Sequence, residues 1–222
     1  IPKGKYFNSM EPEIQHEILS NIDFYKSYKC EFEIDGRIFR IYIFSKDPID
    51  LQKSIQNMFI WLYIACKHAS IHKCSRILEI YIYLTDLKKQ MPKKMGTPIG
   101  TLNANTGFTY VCNMPGSSDA NEINIFRKEE WFKVFIHESF HSLALDFSDM
   151  AVECKKAEEW LKNHLFLVNI SDMRIFETYT EMWAEIMHCI FISQNKIDLF
   201  KTLISQEMVW STFQSVKILH HY

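Results

Sequence analysis

Residues His137-Glu138-Ser139-Phe140-His141 constrain this chain more than any other stretch. In a helix, positions i and i+4 lie on one face, one turn apart. The imidazoles of His137 and His141 then reach one metal ion, and Glu138 reaches a water bound to it. The requirement is a helix, and 131–145 is patterned as one. Phe132, Phe135, Ile136, Phe140, Leu143 and Ala144 recur at helical spacing, and no Gly or Pro interrupts the run. Lys128-Glu129-Glu130 precede it, and acids favour a helix start. The competing reading is a core helix with two incidental histidines.

A hydrolytic zinc site needs three protein ligands and one open position. Downstream, Glu177, Glu181 and Glu185 fall at i, i+4 and i+8 on one face of a second helical segment. Like charges at this spacing repel and destabilise a bare helix. Phe176, Tyr179, Met182, Trp183, Ile186, Met187, Cys189 and Ile190 make the segment apolar nearly all round, which predicts burial. Buried carboxylates need positive partners, and a zinc ion supplies one. A solvated acidic stripe is the alternative. By spacing, Glu181 and Glu177 both qualify as third ligand.

HExxH on one helix with a glutamate on a later one resembles the gluzincin pattern of zinc metallopeptidases. Glu181-Met182-Trp183-Ala184-Glu185 is similar to the third-ligand helix of the anthrax lethal factor peptidase domain. The resemblance covers about 123–190. It implies zinc held by His137, His141 and Glu181, with Glu185 hydrogen-bonded to a metal-binding histidine, His137 first. It implies peptide-bond hydrolysis of a protein or peptide substrate, with Glu138 as general base acting on a zinc-activated water. An oxyanion donor is expected near the third ligand. Tyr179 points away from Glu181 on an ideal helix, leaving Arg174 or His188. The stretch from Ile123 to His141 also resembles HExxH proteins encoded by large DNA viruses. That bears on localisation: an intracellular, cytoplasmic or virion-associated protein. The alternative function is a structural or virion-associated protein that keeps a zincin fold and its zinc without proteolysis. A metal-free binding module that meets a basic partner through its glutamate stripe is the third class.

The formal net charge is −2 over 222 residues, with Lys and Arg scattered, so no basic face suggests nucleic acid. The longest apolar stretch, 59–66, is too short to span a bilayer. No secretory signal opens the chain, and the missing initiator Met implies processing or trimming. Cysteines at 30, 66, 74, 112, 154 and 189 form no CxxC, and reduced thiols are expected in a chain of this length. Cys66, His68, His72 and Cys74 have a spacing that could suit a second metal. The plainer reading is two surface histidines and two half-buried cysteines.

The expected fold is α+β and zincin-like, a single metallopeptidase-like domain over 1–222. A mixed twisted N-terminal sheet plus motif helix fills about 25–147, and a helical subdomain fills about 148–222. Strands at 28–34 and 37–44 flank the hairpin signal Asp35-Gly36. A helix follows at 49–68, then an apolar central strand at 76–84 and a loop at 88–105. Short strands at 107–112 and 122–126 lead to the motif helix, and helices follow at 149–166, 171–193 and 196–219. The family plan implies that substrate pairs with an edge strand above the metal helix, either 107–111 or 122–126. The turn at 103–107 could line that cleft, although an ordinary edge strand with a polar turn reads equally well.

Overall fold

The computed structural model describes residues 3–72, 74–110, 120–147, 150–164 and 173–222. Its strands are β1 (Lys26–Ile34), β2 (Arg37–Ser45), β3 (Ile77–Leu84), β4 (Gly107–Thr109) and β5 (Asn121–Ile125). Its helices are α1 (Pro12–Ser20), α2 (Leu51–His68), α3 (Thr101–Ala104), α4 (Trp131–Ser142), α5 (Ala151–His164), α6 (Ile175–Ser193) and α7 (Ile197–His221). The architecture is therefore α+β, with one mixed sheet.

The sheet runs β1-β2-β3-β5-β4. β1 and β2 form the expected hairpin, with Asp35 (φ 49°) and Gly36 (φ 77°) both left-handed, as a type I′ turn requires. β2, β3 and β5 are mutually parallel, and β4 closes the edge antiparallel to β5. β3 is central, as its run of Ile and Tyr predicts. Of the two strands considered for the edge, β5 is paired on both sides and β4, among the described residues, on one.

Strand alternation sends the two faces of the sheet into different cores. Phe39, Ile41, Ile80, Ile82, Ile123 and Ile125 face α2 and α4. Phe44, Tyr81 and Tyr83 face α1 and the N-terminal segment, where Phe7, Ile14 and Ile18 pack. Buried Glu122 holds that segment by accepting the backbone N–H groups of Lys5 and Tyr6 at 2.7 and 3.1 Å. α6 packs on α4, and its Ala184 belongs to the same core as α2 and the sheet.

Several expectations need correction. α6 is not buried all round: Met182, Ile190 and Ile192 are exposed, and of its residues only Thr180, Ala184, Cys189 and Ser193 are fully buried. One turn of helix, α3, interrupts the loop expected at 88–105. The strand expected at 107–112 ends at Thr109, and Val111 and Cys112 lie outside the described residues. Cys30, Cys66, Cys154 and Cys189 are free thiols, but Cys74 is disulfide-bonded, so not every thiol is reduced. Pairing depends on distance in the fold, which spacing along the chain does not report. His68 and His72 are exposed, and a disulfide-bonded Cys74 offers no thiolate for a second metal. Among the described residues no helix is long and apolar enough to cross a membrane.

Candidate metal centre

The motif helix α4 buries Phe132, Phe135, Ile136 and Phe140 against the sheet and turns His137 and His141 toward α6. One helical turn brings their Nε2 atoms to 3.1 Å. The Oε2 of Glu177 lies 3.3 Å from each. Three ligand atoms thus form a nearly equilateral triangle, and no other group among the described residues gathers metal donors this closely. Tetrahedral zinc, with bonds of about 2.0–2.1 Å, needs ligand atoms about 3.3–3.4 Å apart. The triangle fits.

The outer nitrogens explain why these atoms converge. His137 Nδ1–H donates to Glu181 Oε2 at 2.8 Å, and His141 Nδ1–H donates to Asp146 Oδ2 at 2.6 Å. A carboxylate on Nδ1 fixes the tautomer and leaves the Nε2 lone pair facing inward. Two lone pairs and a carboxylate oxygen then meet at one point, an arrangement that only something positive stabilises. Without a metal, protons fill that role. Burial alone would lower the histidine pKa values. The Glu177 and Glu181 hydrogen bonds override it and lift His137 to about 9. Asp146 and Glu177 lift His141 to about 10. The same bonds hold Glu177 far below the usual carboxylate range. Glu181 falls to about 2, because His137 and Lys133 outweigh its burial.

Position by position, the expected site changes by one turn. Glu177, not Glu181, completes the triangle, and Glu181, not Glu185, orients His137. Glu185 sits at the outer end, 4.0 Å from Lys133. The cause is the axial slide of α6 along α4, about 5.4 Å per turn, which helical periodicity leaves undefined. Part of the positive compensation predicted for the glutamate stripe is also protein. Lys133, one turn before His137, donates to Glu181 Oε1 at 2.6 Å and lies within ion-pair reach of Glu130 and Glu185.

Glu138 is buried beside both histidines, and burial pushes its carboxyl up to about 7 against the pull of their charges. Such a group exchanges a proton near neutral pH. His188 is placed away from the centre, against Phe132 and Phe191 at the far end of α6, and does not serve it. Arg174, at the N-cap of α6, does line the cleft. Tyr179 packs on Phe140 and Phe147, pointing away as expected.

Asp146 is the residue the sequence did not announce. It lies beyond the end of α4, is 1% exposed, and reaches His141 because the chain doubles back there. Ala144 (φ 52°) and Phe147 (φ 62°) adopt left-handed conformations that neither side chain favours. The Leu145 N–H, donating to the Phe140 carbonyl, secures the turn.

A cavity of about 620 Å³ opens over the triangle, walled by α4, Arg174, Phe176 and the edge from Ala104 to Thr109. The 103–107 turn thus lines it from Ala104 onward. Thr109 Oγ1 meets Ser142 Oγ at 2.8 Å, tying the edge strand to the motif helix. Gly107 permits the approach: a Cβ there would stand 2.8 Å from the Asn124 carbonyl oxygen and 3.0 Å from Val134. No family model, no curated protein and no solved structure matches this chain, so the site rests on its own geometry.

Proposed function

We propose that this chain is a zinc-dependent peptidase of gluzincin type, with His137, His141 and Glu177 as ligands and Glu138 as general base. The observation that carries the reading is the convergence of three donor atoms at 3.1–3.3 Å, with both histidines oriented by carboxylates. When bound, zinc supplies an electrophile that acidifies water and polarises a carbonyl. The chain's own residues do the rest. Glu138, buried beside both histidines, accepts a proton from the attacking water and returns it to the leaving amine. Glu181 and Asp146 hold the imidazole rings so that Nε2 faces inward. The unpaired side of β4 offers backbone groups to an extended peptide, and Arg174, which lines the cleft, is the candidate donor to a developing oxyanion.

The test is metal content and peptide turnover of the wild type beside Glu138→Gln and Glu177→Gln. One zinc per chain is expected in the wild type and in Glu138→Gln, with turnover lost in Glu138→Gln. Glu177→Gln is expected to lose zinc. A site that keeps zinc and shows no turnover in any variant would support the structural, virion-associated reading. A wild type without zinc under chelator-free conditions would sink both.

A further inference from the structure

The C-terminal half of α7 is built inside out. Residues 207, 214 and 221 share one face of a helix, seven positions apart. Glu207 and Gln214 are part-buried there, and His221 is buried, its Nε2 2.8 Å from the Thr97 carbonyl oxygen. The side turned toward the body is therefore polar. The opposite side carries Val209, Thr212, Val216 and Leu219, with Met208 and Phe213 beside them. Val209, Val216 and Leu219 are 69%, 59% and 77% exposed. An apolar stripe of this size facing water marks an interaction surface.

We propose that this half of α7 is the self-association surface of the chain and that its occupant is a second copy. The spacing is the first argument. Positions 209, 212, 216 and 219 alternate by three and four, the a/d seam on which helices pair. Val at both a positions with Leu at a d position favours two strands over three or four. Charge is the second. From Met208 to Tyr222 there is no acid and a single lysine, Lys217, so nothing selects a charged partner, and an identical neutral helix is complementary. Area is the third. A large aromatic offers ~150–250 Å² and an aliphatic somewhat less, so the exposed side chains of this half amount to ~600–800 Å². A standard stable interface covers ~800 Å² per partner. The surface is symmetric in kind, so the contact closes as a two-fold dimer.

Sedimentation velocity of the full chain tests this independently of metal or activity. The wild type should sediment as a dimer in the low micromolar range. Val209→Glu combined with Val216→Glu should sediment as a monomer, its dimer weakened by at least ~100-fold, with far-ultraviolet circular dichroism and zinc content unchanged. Val152→Glu, on α5 at an equally exposed apolar position, should stay dimeric. A wild type that is monomeric throughout that range overturns the proposal without recourse to any variant. So does a double variant that remains dimeric, or a monomeric wild type that instead binds phosphatidylcholine–phosphatidylserine vesicles.

Discussion

Glu138 shows how a single buried carboxyl can cost stability. Its carboxyl titrates near 7 when folded, against an ordinary value near 4.5. The folded state therefore holds a proton that the unfolded chain releases, and stability falls as pH rises from about 4.5 to about 7. Glu138→Gln removes that loss. In metal-free protein it should raise stability at neutral pH by about 1–3 kcal/mol and leave it unchanged below about pH 4. Urea melts of both proteins at the two pH values would show this, and equal midpoints at neutral pH would mean Glu138 is not buried as described. Around the triangle, ligand and orienting residues separate by magnitude. Glu177→Gln should abolish tight zinc binding, whereas Asp146→Asn or Glu181→Gln should weaken it by roughly 10–100-fold. A competitive chelator titration reads all three, and Glu181→Gln losing more than Glu177→Gln would reverse their roles.

At the level of elements, the seating of α4 against β4 depends on one missing methyl group. Gly107→Ala would drive a Cβ into the Asn124 carbonyl oxygen, which is backbone, and against the branched, stiff side chain of Val134. The expected loss is about 1–3 kcal/mol, read as a lower thermal midpoint, and an unchanged midpoint would show the helix is not pressed on the edge strand. The elements themselves were legible in the residues. Alternation marked β1 and β2, Asp35-Gly36 marked their turn, and the Phe and Ile stripe marked α4. Relations between elements were not. Which glutamate of α6 meets the histidines depends on the slide of one helix along another, and Glu177, Glu181 and Glu185 repeat with the same period as the error. Asp146 was hidden because a turn with two unfavourable φ angles, not a helical repeat, delivers it. The burial of α6 was overestimated because apolar composition alone does not say which side meets protein.

Across the whole molecule, the centre joins two parts of the chain that are otherwise held by packing and by the Lys133–Glu181 ion pair. His137 and His141 come from the helix lying on the sheet, Glu177 from the helical C-terminal region. A metal bound to all three therefore stabilises the contact of α4 with α6, and with it the fold. The pH dependence of that effect follows from the protons it displaces. In the metal-free chain His137 and His141 are raised to about 9 and about 10. Their contribution is complete below the unfolded value near 6.5 and is lost as pH climbs through the folded values. Zinc bound there would have to expel these protons, so its affinity should rise by up to ~10-fold per pH unit for each proton displaced. Raising pH thus weakens the metal-free fold and strengthens zinc binding together. The gain in thermal midpoint on adding one equivalent of zinc should be larger at about pH 8 than at about pH 6, and Glu177→Gln should flatten the difference. A gain that shrinks with rising pH would mean the metal is held by groups other than these histidines.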